Sequence, residues 1–260
     1  MKISVLILVK NEEEIIEDCL KRLNFADEII ILDQESSDKS VEIAKKYTNK
    51  IFETKIENFA KNRSKLKDLA ANEWILYLDV DERLNEEVVS EINEVIKEDK
   101  FSCFYIPRKN YVLGKRIKHG GWWPDFAPRL FKKSDLKEWQ GEIHESPVFS
   151  GKHTYLKNAL DHYTARNVSL MLNKSIKWAK IEAELYHQSK NPKITILKVL
   201  KASVIEFVTR YIIKKAFLDG TIGLIESIFQ ALHKAMIFIY LWEIQNHVYE
   251  KFQKETKQIQ

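Results

Sequence analysis

The chain has 260 residues, of which 45% are hydrophobic and 31% charged, and its formal net charge is +4. This composition is ordinary for a folded protein, and so small a net charge predicts no nucleic-acid partner. Two cysteines, Cys19 and Cys103, are too few for a disulfide framework, and they do not have the spacing of a metal site.

The first hundred residues alternate short apolar runs with segments of helical periodicity. Strands are predicted over 3–9, 28–33, 50–54 and 74–80, and helices over 12–23, 37–47, 59–72 and 85–98. This alternation predicts an α/β fold with a mostly parallel sheet and helices on both faces. The strands are continuously apolar, as expected for strands buried on both faces.

The rest of the chain divides into a mixed part and a helical part. Aromatic residues, prolines and histidines concentrate in 101–165, and helical periodicity runs from about 167 to the end. We therefore expect a sheet domain over 1–165 and a helical region over 166–260. The N-terminal apolar run is too short for a signal peptide, and no uncharged apolar run reaches 18 residues. The expected location is cytoplasmic, with peripheral attachment to the inner face of the cytoplasmic membrane left open.

Acidic residues stand where three predicted strands end. Glu12 follows the first strand, Asp33 ends the second, and Asp79, Asp81 and Glu82 end or follow the fourth. Ligands of an open parallel sheet bind beyond the carboxyl ends of its strands. Single acids at strand–helix junctions can also be helix N-caps. N-capping explains less well why acids occur at the ends of three strands.

Asp79 and Asp81 would point the same way if the backbone between them were extended. Two carboxylates about 5 Å apart at an effective dielectric constant of about 20 repel by roughly 3 kcal/mol. A proton, a basic neighbour or a divalent cation can relieve that repulsion. Since Mg²⁺ is commonly held by one or two carboxylates together with substrate phosphates, the pair favours a metal–phosphate site. No glycine-rich phosphate loop is present, so basic side chains such as Arg63 are expected to bind phosphate.

Several segments together resemble the family 2 glycosyltransferases, which have the GT-A (Rossmann-like) fold. They are "ILVKNEEEIIEDCL", "DEIIILDQESSDKSVEIAKKY", "FAKNRSKLKDLAANEWILYLDVDERL", "APRLF", "GEIHE", "DHY" and "FLDGTIGLIESIFQA". The resemblance covers essentially the whole chain, and it is greatest to bacterial glucosyltransferases of the lipopolysaccharide inner core.

The resemblance implies an inverting transfer of a hexose, glucose being favoured, from a nucleotide sugar to a lipopolysaccharide-core or other cell-envelope acceptor. A UDP-sugar is the favoured donor, and the acceptor is a glycolipid or a glycan. Asp33 would bind the base, and Glu12, Arg63 and Asp79 would line the nucleotide site. Asp79 and Asp81 would be the D-x-D pair that binds Mg²⁺ or Mn²⁺.

The same resemblance implies a catalytic base some tens of residues after the D-x-D pair. The family often has an "ED"-like pair there, which this chain lacks. The best positional match is the "HE" at 144–145. Glu145 is therefore the first candidate for the base, and Asp125 is the second.

Four other residues have both a functional and a structural interpretation. His144 and His162 would complete the metal sphere, or they would be structural histidines. His144 is also a candidate for binding the acceptor. Trp122 and Trp123 would stack against a sugar of the acceptor, or they would simply pack.

The apolar helical segments 194–215 and 222–244 also have two readings. They would form a helix pair packed on the sheet domain or on a dimer partner, or an interfacial helix on an anionic membrane surface.

Other functions are compatible with parts of the pattern. A polyprenyl-phosphate glycosyltransferase would share the D-x-D site, although many such enzymes have transmembrane spans. A nucleotidyltransferase would normally have a glycine-rich signature after the first strand, where this chain has "VKNEEE". A membrane-associated scaffold with a non-catalytic nucleotide fold would tolerate loss of Asp79 or Asp81.

Overall fold

The computed structural model describes residues 2–56, 58–141, 145–189 and 193–248. The strands in those residues are β1 Ile3–Val9, β2 Glu28–Asp33, β3 Ile51–Glu53, β4 Trp74–Tyr77, β5 Glu82–Arg83, β6 Cys103–Val112, β7 Lys115–Arg116, β8 Phe126–Lys132, β9 Leu136–Gln140, β10 Ser146–Phe149, β11 His153–Tyr155 and β12 Leu160–Ala165. The α-helices are α1 Ile16–Leu20, α2 Ser40–Ala44, α3 Phe59–Leu69, α4 Glu86–Glu98, α5 Val168–Gln188, α6 Ile196–Val208 and α7 Gly220–Gln245.

The chain forms two compact units. The first contains Met1–Asn110 and Pro124–Thr164, and the second contains Tyr111–Trp123 and Ala165–Gln260. The predicted division into a sheet domain over 1–165 and a helical region over 166–260 remains a prediction. The segment Tyr111–Trp123 belongs with the helical residues because its apolar side chains pack with theirs.

The first unit begins with a parallel sheet in the order β3-β2-β1-β4. Val9 of β1 is level with Asp33 of β2, so the carboxyl ends of these strands lie side by side. Leu6 of β1 is level with Tyr77, the last residue of β4. Three strand ends that carry acids are therefore neighbours, as the sequence predicts.

Alternate residues of β1 pack against different helices. Val5 and Ile7 belong to a core cluster with Leu20 of α1, whereas Leu6 packs with Leu66 of α3. Successive side chains of a strand point to opposite faces. The prediction of an α/β sheet covered by helices on both faces is confirmed.

Antiparallel strands extend the sheet beyond β4, in the order β4-β8-β6-β12-β5. Leu76 of β4 is level with Leu130 of β8, and the next pair in that register places Arg129 beside the end of β4. The short β5 pairs with β12, which puts His162 opposite Glu82. The antiparallel strands thus bring distant polar residues to the acidic edge.

The first two helices are shorter than predicted. The predicted helix 12–23 is observed as Ile16–Leu20, and the predicted helix 37–47 as Ser40–Ala44. The residues that precede them form turns: Asn11 has φ of 54°, and Asp38 accepts hydrogen bonds from the amides of Glu13 and Ser40. These side-chain–backbone bonds satisfy the backbone without a helix.

The second unit contains the hairpin of β7 with the end of β6, and the C-terminal helices. Helix α7 packs against α5 and α6. Its Leu241 forms a core cluster with Ala183 of α5 and Val199 of α6. A π-helical turn, Thr209–Ile213, and a 3₁₀ turn, Ala216–Asp219, connect α6 to α7.

The 3₁₀ turn and α7 together span Ala216–Gln245, which is long and apolar enough to cross a membrane. Charged residues interrupt this segment in the sequence, so it contains no uncharged apolar run of 18 residues, but its mean hydropathy is high. Length and composition alone are weak grounds for a span, since a core helix can meet the same test.

Candidate active site

The loops after β1 and β2 are joined by hydrogen bonds at the edge of the sheet. The amide of Asn11 donates to Ser36 Oγ at 2.9 Å, and the amide of Ser37 donates to Asn11 Oδ1 at 2.8 Å. The amide of Glu12 donates to Ser40 Oγ at 2.7 Å. Glu12 is thereby held at the carboxyl end of β1, next to the loop that follows Asp33.

Among the described residues, Asp33 has one carboxylate oxygen without a hydrogen-bond partner. Its side chain is buried, and its Oδ2 accepts the amide hydrogen of Ser36 at 3.0 Å. Its Oδ1 is also buried and has no hydrogen-bond partner in the described part of the chain. A buried acceptor that lacks a donor is costly, so this oxygen is suited to accept an N–H from a ligand.

Asp79 lies in a turn, not in an extended strand. Strand β4 ends at Tyr77, and the amide of Glu82 donates to the carbonyl oxygen of Asp79 at 2.9 Å. The condition under which Asp79 and Asp81 would point the same way is therefore not met. Their side chains have different partners.

Two arginines hold the Asp79 carboxylate. Arg63 Nη2 donates to its Oδ1 at 3.0 Å, and Arg129 Nη2 donates to its Oδ2. Burial opposes ionisation of Asp79, but the charges of Arg129 and Arg63 outweigh burial and hold the pKa of Asp79 far below its usual range. The sequence allowed a proton, a basic neighbour or a divalent cation to offset the repulsion between the carboxylates. In the structure, basic neighbours offset the charge of Asp79.

Arg129 also binds Glu82, which has no exposed side-chain surface. Its Nη2 donates to Glu82 Oε1 at 2.5 Å, and the same oxygen is 3.6 Å from Arg108 Nη1. Glu82 Oε2 accepts the amide hydrogen of Asp79 at 3.1 Å. Glu82 thus fixes both the turn and the arginine that holds Asp79. By contrast Arg83 points away and pairs with Asp18 at 2.6 Å.

Arg63 is also held through its aromatic neighbours. Its guanidinium carbon is 5.6 Å from the ring centroid of Tyr77 and 5.1 Å from that of Trp139. Its Nε is buried without a hydrogen-bond partner among the described residues. This arginine therefore retains one buried donor beyond its bond to Asp79.

Asp81 faces His162. The Asp81 Oδ1 to His162 Nε2 distance is 3.6 Å. The other ring nitrogen of His162, Nδ1, is 2.6 Å from Asn110 Oδ1, and Asn110 Nδ2 donates to Asp125 Oδ2 at 2.9 Å. Because the Asn110 amide group donates to a carboxylate, its oxygen accepts from Nδ1–H. Nδ1 therefore carries a hydrogen, and Nε2 is the nitrogen that faces Asp81.

Asp125 is held by a two-point ion pair with Arg108. Arg108 Nε donates to Oδ2 and Arg108 Nη2 donates to Oδ1, each at 3.0 Å. Burial raises the pKa of Asp125, but the hydrogen bonds and the charge of Arg108 prevail and lower it below its usual value. The carboxylate is therefore a weaker base than an ordinary aspartate.

Glu145 is the other candidate base. It is half-buried, and burial raises its pKa above the usual value despite the charges of Arg63 and Arg129. Because those charges and that of Asp79 act on it, Glu145 lies within the electrostatic reach of the arginine cluster. The neighbouring His144 lies outside the described residues.

Trp122 and Trp123 lie in the second unit. Trp122 packs with the cluster that contains Val112 and Ile117. Trp123 is 40% exposed, and the guanidinium carbon of Arg116 is 5.3 Å from its ring centroid. Trp122 therefore packs against a hydrophobic core, whereas part of the Trp123 ring is accessible to solvent. An acceptor role for either remains a prediction.

Sequence reasoning did not assign Arg129, Arg108 or Asn110 to the site. Arg129 is within the quoted segment "APRLF", but a single arginine in a strand has no signal of its own. A buried arginine near an acidic strand end is recognisable only after β8 has been paired with β4.

Asp81 and His162 are close enough together to contribute to a divalent cation site, and the predicted ligand pair Asp79 and Asp81 remains a prediction. In the described residues no group of three or more His, Cys, Asp or Glu side chains could hold a metal ion. Mg²⁺ and Mn²⁺ sites in phosphate-handling enzymes use few protein ligands and complete their spheres with phosphate and water. A carboxylate oxygen 3.6 Å from an imidazole nitrogen is compatible with such a site, and both oxygens of Asp79 bind arginine.

Comparison with known proteins places the chain in a family. The sequence profile for glycosyl transferase family 2 matches residues 4–161, more than half of the chain. An uncharacterized glycosyltransferase of Rickettsia typhi is 26% identical over 94% of this chain and 87% of its own length. A second, from Rickettsia conorii, is 26% identical over 87% and 85%.

The fold has a counterpart among solved structures. TarS of S. aureus, residues 1–349 in complex with UDP, matches with a TM-score of 0.50 at 14% identity and covers 96% of this chain and 92% of that chain. The fold is thus the GT-A fold predicted from the sequence. The chain belongs to glycosyl transferase family 2, and it is a glycosyltransferase. The predicted lipopolysaccharide-core subgroup remains a prediction.

Proposed function

We propose that the protein is a metal-dependent inverting glycosyltransferase that takes a hexose, with glucose favoured, from a nucleotide sugar, with UDP favoured. Its acceptor would be the lipopolysaccharide core or another cell-envelope glycan. The observation that carries this proposal is the meeting of Glu12, Asp33, Asp79 and Asp81 at the ends of three adjacent parallel strands. Ligands of such sheets bind at this edge.

The donor would bind through the residues at the ends of β1, β2 and β4. Asp33 Oδ1 would accept an N–H of the base, which removes the cost of its buried unpaired oxygen. Glu12 would line the same pocket, and Arg63 would meet the diphosphate with its remaining buried donor. The UDP bound by TarS is consistent with this donor class.

Asp81 and His162 would hold Mg²⁺ or Mn²⁺. When bound, the ion offsets the negative charge that develops on the departing nucleoside diphosphate. Asp79, the other acid of the D-x-D pair, would keep Arg63 and Arg129 in place beside that charge. The chain Asp125–Asn110–His162 would keep the lone pair of His162 on Nε2.

Glu145 would act as the catalytic base, and Asp125 as a positioning residue. In an inverting transfer the acceptor oxygen bonds to the anomeric carbon as the bond from that carbon to the diphosphate oxygen breaks. The acceptor proton passes to the Glu145 carboxylate. Burial raises the pKa of Glu145 and so favours proton uptake, whereas Arg108 makes Asp125 a weaker base.

A donor screen tests the proposal. The purified full chain is incubated with Mn²⁺ or Mg²⁺ and a panel of UDP-, GDP- and ADP-sugars, and nucleoside diphosphate release is measured with and without envelope glycan acceptors. We expect metal-dependent release from a UDP-hexose. Asp81→Asn should lower the rate at least about 100-fold, while Asp68→Asn, at an exposed acid of α3, should leave it unchanged.

The proposal would be contradicted if no nucleotide sugar gave metal-dependent release, or if Asp81→Asn were fully active.

Glu145→Gln separates the role of the base from donor binding: it should abolish transfer and still bind UDP. Trp123→Ala should raise the KM for acceptor alone if its exposed ring contacts a sugar.

A polyprenyl-phosphate acceptor is the second candidate. The observation that favours it is the 30-residue segment Ala216–Gln245, which is apolar enough to meet a bilayer. Transfer to a short-chain polyprenyl phosphate but not to a water-soluble core oligosaccharide would select this alternative.

A further inference from the structure

Helix α6 exposes an apolar stripe. Of its thirteen residues only Val199 is buried. The exposed side chains include Ile196 at 74%, Leu197 at 71%, Leu200 at 58% and Val204 at 61%. Residues 196, 200, 204 and 208 recur every four positions and lie on one side of the helix. The stripe continues past the helix with the exposed residues Ile212, Ile213, Phe217 and Leu218.

The same segment holds the positive charge excess of the protein. Residues 193–218 contain six basic residues and one acidic residue, so the rest of the chain, with 36 basic and 37 acidic residues, is almost neutral. The single acid, Glu206, pairs with Arg210 at 2.6 Å. The five lysines are exposed, and in the described residues none of them forms an ion pair with a carboxylate. These lysines are Lys193, Lys198, Lys201, Lys214 and Lys215. We call this segment the basic apolar face.

The positive charge of the basic apolar face favours an anionic bilayer over a second copy of the chain as its binding partner. A second copy of the chain related by twofold symmetry would bring the two sets of lysines together, and like charges repel across an interface. An anionic bilayer instead takes apolar side chains into its acyl region while its headgroups meet the lysines. Lys201 is one turn from both Leu197 and Ile205, so lysine and apolar side chains share one side of the helix.

We propose that the basic apolar face binds the surface of a bilayer that contains anionic lipid, with α6 lying in the interface plane. An amphipathic helix with lysines beside a continuous apolar stripe binds membranes through both burial and electrostatic attraction. This inference goes beyond the proposed transfer reaction and does not depend on the identity of donor or acceptor.

Vesicle cosedimentation of the full chain tests the inference. Vesicles of phosphatidylcholine alone are compared with vesicles that contain about one third phosphatidylglycerol, at about 0.05 M and about 0.5 M salt. We expect binding to the anionic vesicles at low salt and much weaker binding at high salt. Lys198→Gln combined with Lys201→Gln should weaken binding about 25-fold, or about fivefold for each lysine.

Two further variants make the test specific. Leu197→Ser combined with Leu200→Ser should weaken binding at least about tenfold, and should leave donor hydrolysis unchanged because both side chains are exposed. Lys45→Gln combined with Lys46→Gln, at exposed lysines of the first unit, should bind like the parent. Circular dichroism confirms that each variant is folded.

Two results would overturn the inference. One is the absence of binding to anionic vesicles at low salt. The other is a dimer, detected by light scattering, that Leu197→Ser/Leu200→Ser dissociates while the parent fails to bind vesicles. The second result would assign the basic apolar face to another copy of the chain.

Discussion

At the scale of single residues, Arg129 connects the charges of the site. Its side chain is 4% exposed and binds both Asp79 and Glu82. Removing one partner of a buried ion pair leaves an uncompensated buried charge, which typically costs about 3–5 kcal/mol. Arg129 therefore supports the fold as well as the proposed donor site.

Arg129→Met should lower the free energy of unfolding by about 3 kcal/mol or more and abolish transfer. Urea denaturation measures the first effect. Arg22→Met, at an exposed ion pair with Asp18, is the matched control and should cost at most about 1 kcal/mol. Adding Glu82→Gln to Arg129→Met should recover part of the stability, because it removes the fully buried carboxylate charge. An Arg129→Met variant as stable as the parent would contradict this account.

Asp125→Asn distinguishes a positioning residue from a base. If Asp125 orients Asn110 and His162, the variant should bind Mn²⁺ about 10- to 100-fold more weakly, as measured by calorimetric titration. Excess Mn²⁺ should then restore much of the transfer rate. An unchanged Mn²⁺ affinity with a kcat that excess metal does not restore would instead assign Asp125 as the base. Asp68→Asn should change neither quantity.

At the scale of elements, α7 contains a buried acid, Glu226, whose ionisation destabilises the folded chain in a pH-dependent way. Burial raises the pKa of Glu226 above its ordinary value of 4.5, although a hydrogen bond from Gln230 and the charge of Arg210 oppose the shift. Well below pH 4.5 Glu226 is protonated in both the folded and the unfolded chain, so its ionisation does not affect stability. As the pH rises toward the folded-state pKa, the unfolded chain ionises first, so the folded state loses relative stability.

Glu226→Gln should therefore be more stable than the parent at neutral pH, and the difference should vanish toward pH 4. Thermal unfolding across that pH range measures the difference. Glu184→Gln, at an exposed position on α5, should not alter the stability difference with pH. A Glu226→Gln variant that is less stable than the parent at pH 7 would show that the ionised carboxylate is stabilising.

At the scale of the whole molecule, each compact unit has its own hydrophobic core. The proposed donor site lies in the first unit. A ligand that binds only the folded chain stabilises it by mass action, by about 2.7 kcal/mol at a concentration 100 times its Kd. UDP with Mn²⁺ should therefore raise the unfolding temperature of the full chain.

Asp33→Asn should lose most of that shift, because its amide can present an N–H where the base is expected to donate one. Differential scanning calorimetry with and without UDP provides the measurement, and Asp68→Asn should respond like the parent. A full UDP shift in Asp33→Asn would exclude Asp33 from base binding, while the loss of the shift in both variants would indicate a general defect.

The parallel half of the fold was predictable because its signals are local. Continuous apolar runs predicted β1, β2 and β4, and the alternation with helices predicted a parallel sheet. Once these strands are parallel and adjacent, Glu12, Asp33 and Asp79 must lie at one edge. The helix bounds were less accurate at α1 and α2, where side-chain–backbone hydrogen bonds to Asp38 and Asn11 replace the first helical turns.

Sequence by itself determined the α/β class, the family resemblance and the acids at the strand ends, because each depends on residues close together along the chain. Only the tertiary structure decided which groups those acids meet. Arg129 reaches Asp79 across 50 residues, and His162 reaches Asp81 because β12 pairs with β5. The register of antiparallel strands sets these contacts, and that register is the outcome of packing over the whole unit and not of any local pattern.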